Sequence, residues 1–348
     1  MTERLKKRLG RGARGGAYAA ALGLALSAWA GGAVAEDVLQ VMTSPSGSGP
    51  YNAFATIQTH MEEFSDSLTI EVEETPGFTF NVKIMATDSS RYTDTIFGTG
   101  TVLSWAAATG QKPFFPEPLE VAKDFRVIAG LGPTYNVWVT TDPEIETPKD
   151  FVGKRVGIGL LTQNEWGMHQ RMLLDAWGLT PELRSLDALG TSANIEALLD
   201  GRTQVGTLFG LTSVDGEHTV VTGPHRQLEA SDRDWHYVQV PAEMIRAYND
   251  RTGAPFRVVD YAAGTLPNQP DRLVTFGDIL LLQAHKDLPD DLAYEFVRMM
   301  VENYEKIASY SALTRVWTPA TLAEIAKQSP DLVHPGAMKA YRDLGLVQ

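Results

Sequence analysis

The chain of 348 residues contains no cysteine. That absence excludes disulfides, thiolate metal sites, iron–sulfur clusters, thiol nucleophiles and a lipidated N-terminal cysteine together. Positive charge is scarce as well: 30 Lys and Arg face 43 Asp and Glu, a formal charge of -13. Such a surface repels phosphate backbones and anionic lipid, which argues against nucleic-acid binding. The usual catalytic punctuation is missing. There is no H-E-x-x-H, no G-x-S-x-G elbow and no Walker lysine, and His218, His225 and His236 have no metal-ligand spacing. Neither a metal nor a cofactor is expected from these patterns, and an activated nucleophile is not evident.

What is present begins with a label. Arg4, Lys6, Lys7, Arg8, Arg11 and Arg14 precede an apolar run, Ala17–Leu26, and the segment closes on Ala33-Val34-Ala35 before Glu36-Asp37. This is the charged, apolar, small-residue order of a secretory signal, with cleavage expected after Ala35 and an uncleaved anchor as the alternative. Without residues 1–35 the charge becomes -18. An exported, acidic protein with no lipid anchor is expected to diffuse freely, and the periplasm suits it.

The remaining chain, at about 150 residues per domain, has room for two compact units. Val38–Thr43 reads as a strand, followed by the loop Ser44–Pro50 and a helix carrying Tyr51, Phe54, Ile57, Met61 and Phe64. A second strand, loop and helix run from Val152–Gly159 through Leu160–Asn164 to Trp166, Met172, Leu173 and Ala176, with Gly178 placed to stop the helix. Further strands are expected at Leu68–Val72, Thr93–Phe97, Arg126–Ala129, Asn136–Thr140, Thr203–Phe209 and Trp235–Val240, with a helix at Asn194–Leu199 and a helical C-terminal third. Alternating strands and helices predict α/β architecture: two open, mixed or mainly parallel sheets flanked by helices, one per lobe. The lobes are expected as 36–140 with the return 271–348, and 141–270, with crossings near Thr141–Pro143 and Leu266–Pro270.

Candidate ligand contacts follow from strand-to-helix loops. Ser46-Gly47-Ser48-Gly49 lies where helix N–H groups lack internal partners, so it can seat a carboxylate or be a plain turn; a nucleotide loop would need more. Thr99 and Thr101 end a later strand in the same way. Thr162-Gln163-Asn164-Glu165 has capping-box spacing, and its alternative reading offers amides to a ligand and a carboxylate to a ligand ammonium. Trp105, Tyr135, Trp138 and Trp166 are read as core more readily than as ligand platforms.

Five segments in order resemble the TAXI family of solute-binding proteins, the periplasmic receptors of certain TRAP transporters. They are Ser46–Tyr51, Thr75-Pro-Gly-Phe-Thr-Phe-Asn81, Asp150-Phe-Val-Gly-Lys-Arg-Val156, Gly264-Thr-Leu-Pro-Asn-Gln269, and His334-Pro-Gly-Ala337 with Tyr341 and Gly345. The likeness implies a type II-like bilobal periplasmic-binding-protein fold around a ligand cleft, and it places Asn81 at a ligand-binding position. It implies as ligand a small organic acid or amino acid of the glutamate or 2-oxoglutarate class, and as partner a TRAP membrane permease. The departures fall in the cleft: Thr162–Glu165 replaces G-S-G-T, Phe78 stands for a serine, Asn52 for a tyrosine and Thr101 for an aspartate. The ligand set expected is therefore Ser46, Gly47, Ser48, Gly49, Tyr51, Phe78, Asn81, Thr99, Thr101, Thr162, Gln163, Asn164, Glu165 and Trp166, with the anion held by neutral donors. A sensor docking on a membrane kinase, and an enzyme on the same scaffold, are the alternatives.

Overall fold

The computed structural model describes residues 37–348, so the expected signal segment and its cleavage site lie outside the described residues. Aliphatic runs form β1 (Asp37–Met42), β2 (Leu68–Glu73) and β3 (Thr95–Gly100), with β1 between the other two and all parallel. Helices α1 (Gly49–Thr59), α2 (Phe78–Thr87) and α3 (Thr101–Thr109) follow them in turn. Pro50 enters α1 at its first turn, where its missing N–H removes no helical bond.

The next strand, β4 (Phe125–Thr140), has 16 residues, and all but Arg126 are buried. At about 3.3 Å per residue it is long enough to serve two sheets in succession. Past it come β5 (Arg155–Ile158), a π turn at Asn164–Met168, α4 (His169–Ala176), β6 (Ser185–Ala188), α5 (Thr191–Leu199), β7 (Val205–Thr212), β8 (Thr219–Val221), α6 (Gly223–Glu229), β9 (His236–Val238), α7 (Ala242–Thr252) and β10 (Arg257–Tyr261). The strands β11 (Leu273–Gly277) and β12 (Ile279–His285) then return, separated by Asp278 alone.

The first part of β4 pairs antiparallel with β12, from Phe125↔His285 to Pro133↔Ile279. Its second part pairs with β7, from Thr134↔Leu211 to Thr140↔Val205. The strand order is β2-β1-β3-β12-β4-β7-β5-β6, with β11 and β9 also on β4. Two stretches expected as separate strands, Arg126–Ala129 and Asn136–Thr140, are thus one strand. The intervening glycine and proline sit where ladder partners change. Gly132 has φ +112°, and a Cβ there would meet Val316 Cγ1 at 2.8 Å and Thr212 O at 2.9 Å. The chain passes between sheets at Gly132–Pro133 and at Gly277–Asp278. Thr141–Pro143 follows β4, and Leu266–Pro270 connects two strands of the same sheet. The sheets are mixed, because β12 and β4 run against their neighbours.

The C-terminal helices α8 (Asp290–Glu302), α9 (Tyr304–Tyr310), α10 (Pro319–Leu322), α11 (Glu324–Gln328) and α12 (Pro335–Asp343) pack back on the first sheet. Phe54 of α1 stacks on Trp317 at 4.9 Å, and Tyr341 Oη reaches the Ile128 carbonyl at 3.0 Å. The Thr318 hydroxyl caps α10 by accepting the Thr321 N–H. His334 caps α12 by accepting the Gly336 N–H on Nδ1, and a Cβ at Gly336 would lie 2.0 Å from the Asp290 carbonyl oxygen. The H-P-G-A segment is therefore explained by packing. No helix among the described residues is long and apolar enough to cross a membrane.

Candidate functional site

The ends of β1, β3 and β5 point toward the place where β4 and the returning chain change sheets. In α/β sheets this is where loops and helix N-termini converge on ligands. Leaving β1, Ser44 and Ser48 join hydroxyls at 2.6 Å, and Ser46 N–H donates to Glu74 Oε1 at 2.9 Å. Ser46, Gly47 and Gly49 are exposed and Tyr51 is half-buried on α1. One amide of the expected anion seat is thus already taken by a carboxylate.

Asn81 is fully buried, and its Nδ2 faces the carbonyls of Met42 (3.2 Å), Thr43 (2.7 Å) and Gly98 (3.4 Å). Its amide ties the end of β1 to the end of β3, leaving Oδ1 without a partner. Phe78 lies against Gly98, where an added Cβ would come within 2.3 Å of the ring. The Thr99 hydroxyl meets Ser104 Oγ at 3.3 Å.

The facing wall is the loop after β5. Thr79 N–H donates to Thr162 O at 3.2 Å, so main chain from the first sheet's helix touches main chain from the second sheet's loop. Gly77, at φ +135°, permits this approach: a Cβ would lie 2.5 Å from the same oxygen. Gln163 Oε1 accepts from Leu160 N–H at 3.1 Å. Trp166 is buried and packs edge-on against Phe209. The capping box is not formed. The helix opens as a π turn after Gln163 without a side-chain cap, and Glu165 turns inward to 3% exposure.

Inside the seam, Glu165 Oε2 accepts from Asn136 Nδ2 at 2.7 Å and Oε1 from Asn164 Nδ2 at 3.0 Å. Gln170 Nε2 donates to the Glu165 carbonyl at 2.7 Å and to Asn136 Oδ1 at 3.2 Å. Opposite, Asp278 Oδ1 accepts the Thr101 hydroxyl, Val102 N–H at 3.0 Å and Ile279 N–H at 2.7 Å. A carboxylate from the sheet crossing therefore satisfies the first turn of α3, where the helix dipole favours negative charge. Between the two acids lies His169, with Nδ1 3.6 Å from Glu165 Oε2 and Nε2 3.5 Å from Asp278 Oδ2.

All three ionisable groups are buried, and burial sets their protonation. It pushes the Glu165 carboxyl well above the usual carboxylate range, reinforced by the neighbouring Asp278 charge. It pushes Asp278 up to about 6 against its hydrogen bonds from Thr101, Val102 and Ile279. The His169 imidazole is driven down to about 3 and stays neutral. Both His169 nitrogens and Asp278 Oδ2 lack hydrogen-bond partners.

The structure thus brings Thr101, Asn164 and Glu165 together in the seam, with Thr162 on its wall. Ser46–Gly49 and Tyr51 stay near the outer loop, and Asn81, Phe78 and Thr99 support the first wall. Neutral donors are not the whole polar content, because two carboxyls occupy the centre. Thr134, Asn136, His169, Gln170 and Asp278 were not among the sequence candidates. The E-x-x-x-H spacing of Glu165 and His169 was the available signal; Asp278 arrives only through the sheet crossing.

Residues 43–345 match the NMT1-like family. No curated protein sequence matches the chain. Among solved structures, one described as a periplasmic transporter superposes with a TM-score of 0.51 at 12% identity, covering 89% of this chain and 98% of that one. MatC of Rhodopseudomonas palustris with bound malate gives 0.49 at 12% identity over 89% and 96%. A TctC solute-binding protein from Polaromonas gives 0.45 at 14% identity over 80% and 86%. The architecture is the bilobal α/β fold of periplasmic binding proteins, and over nearly its whole described length the chain belongs to the NMT1-like family.

Proposed function

We propose that the protein is a periplasmic solute-binding receptor. It takes a small carboxylate or amino-acid-like solute into the seam between its two sheets and delivers it to a membrane permease, in the manner of the TAXI receptors of TRAP transporters. The lobes, expected as residues 36–140 with the return 271–348 and residues 141–270, would hinge at the strand crossings Gly132–Pro133 and Gly277–Asp278, which assigns Thr134–Thr140 and Leu273–Gly277 to the second lobe.

The observation that carries this reading is the seam itself. Unpartnered polar atoms of His169, Asp278 and Gln170 lie fully buried at the strand crossing. Folded cores rarely keep such groups unless a site requires them. The donors proposed for a solute carboxylate are the Gly47 and Gly49 amides of the outer loop and the second amide hydrogen of Asn164, since the Ser46 amide and the Thr101 hydroxyl are already bonded, and Glu165 would ionise only to meet a solute ammonium. The hydrogen bond from Thr79 N–H to Thr162 O joins the two walls beside the seam, the kind of contact that a receptor closing on its solute would make.

The test is titration calorimetry of the chain, without residues 1–35, against a panel of amino acids, dicarboxylates and keto acids. One-to-one binding with the solute recovered unchanged supports the receptor. Turnover of any panel compound, or no heat from the whole panel, contradicts it.

A further inference from the structure

The seam holds a second kind of chemistry. Glu165 and His169 stand four residues apart where the π turn passes into α4, so both project from one face. Asp278 meets them from the sheet crossing. One ligand atom from each of the three lies within 4.8 Å of the others. The short contacts, Glu165 Oε2 to Nδ1 at 3.6 Å and Asp278 Oδ2 to Nε2 at 3.5 Å, involve different ring nitrogens, so an ion held through one nitrogen has one acid near the tetrahedral donor spacing of about 3.4 Å and the other within the 4.8 Å of the cluster.

We propose that Glu165, His169 and Asp278 bind a first-row transition-metal dication, of the zinc or manganese type. Two carboxyls buried side by side repel once ionised, and among the described residues neither has a Lys or Arg ion-pair partner. A dication removes that repulsion and gives Asp278 Oδ2 and one of the two orphaned His169 nitrogens a partner. The outer contacts already suit coordination. Asn136 and Asn164 orient Glu165, and Thr101 with the Val102 and Ile279 amides fixes Asp278 through Oδ1, leaving Oδ2 for the metal. An imidazole in the set favours zinc or manganese over calcium and magnesium, which prefer all-oxygen shells.

Three protein ligands leave a coordination position open. This part rests on the receptor reading: the metal would supply the positive charge that the seam lacks, so a solute carboxylate could enter beside two acids. The ion reaches its ligands when the seam opens.

The test uses the chain, without residues 1–35, stripped with EDTA and titrated with zinc or manganese alone, followed by elemental analysis after gel filtration. One ion per chain is expected, with at least tenfold weaker binding in Glu165→Gln and Asp278→Asn and no change in His60→Ala, which removes a half-buried histidine beside Glu63, away from the seam. Absence of stoichiometric metal, or equal retention in the two seam variants, overturns the proposal. Should those variants fail to fold, cobalt(II) absorption of the unaltered chain decides. A strong low-symmetry visible band supports the site, and the weak band of the aquo ion refutes it. Solute titrations with and without zinc separate the two ideas: metal bound while no solute binds contradicts the receptor alone, and solute bound equally after stripping contradicts the metal's part in recognition.

Discussion

Thr134 and Asp278 hold the two sheet crossings together by a reciprocal pair of hydrogen bonds. Thr134 N–H donates to the Asp278 carbonyl at 2.9 Å, and Asp278 N–H donates to the Thr134 hydroxyl at 2.8 Å. The same aspartate, through its side chain, caps α3. Backbone order at the crossing and the position of the seam carboxylate are thus one arrangement.

Thr134→Val keeps the shape and removes the acceptor for the buried Asp278 N–H. Leaving a buried donor unpaired costs about 1–3 kcal/mol. Urea unfolding should show that loss, and Thr134→Ser should recover most of it. A valine variant as stable as the parent would show that the hydroxyl does not order the crossing.

Asn81 acts through the strand ends that its amide joins. Asn81→Ala unties the β1 and β3 ends, leaving the Thr43 carbonyl only the Thr75 hydroxyl, so both unfolding free energy and solute affinity should fall, the latter several-fold for about 0.5–1.5 kcal/mol lost. Thermal unfolding and calorimetry on the same preparation check both. Unchanged affinity in a destabilised variant would mean that the β1 and β3 ends do not shape the site.

The closing helix gives a steric test. Gly336→Ala places a Cβ on the Asp290 main chain, which cannot yield as a flexible side chain would, so a drop in melting temperature of many degrees is expected. His334→Asn keeps a side-chain acceptor for the N-cap at this fully buried position and should cost less, about 1–2 kcal/mol. The reverse ranking would refute this account of the H-P-G-A segment.

His225 supplies a pH test away from the seam. Burial lowers its imidazole to about 4, and its Nε2 lies 2.7 Å from Tyr237 Oη, which in turn donates to the Pro267 carbonyl. The unfolded chain takes up a proton near pH 6.5 that the folded chain refuses until about pH 4. Stability from this residue is therefore complete above pH 6.5 and declines as pH falls toward 4, by up to about 3 kcal/mol. Chemical denaturation across that range should show the decline in the parent and a shallower one in His225→Gln. Parallel curves would contradict the assignment.

Strand and helix positions were legible because their signals are local: β-branched runs, Pro50 and Pro319 at helix starts, and Gly178 at φ +71° after α4. The continuity of β4 was hidden, because Gly132 and Pro133 look like a break and the reason they are tolerated, a change of ladder partner, is tertiary. Glu165 was legible as a polar residue at a helix start, but its direction was not. A T-x-x-E spacing describes capping equally well, and the inward turn depends on Asn136 from another strand. Asp278 carried no signal because its partners, Thr101 and His169, are distant in sequence.

The central claim is a two-lobed clamp that shuts across the Thr79–Thr162 seam around its solute. The missing cysteines make it directly measurable, since Glu62→Cys with Glu196→Cys puts spin labels at exposed positions on the two lobes with no competing thiol. Pulsed electron–electron resonance should give a longer, broader distance distribution without solute and a shorter, narrower one at saturation. Identical distributions, for a solute that calorimetry shows to be bound, would contradict the clamp.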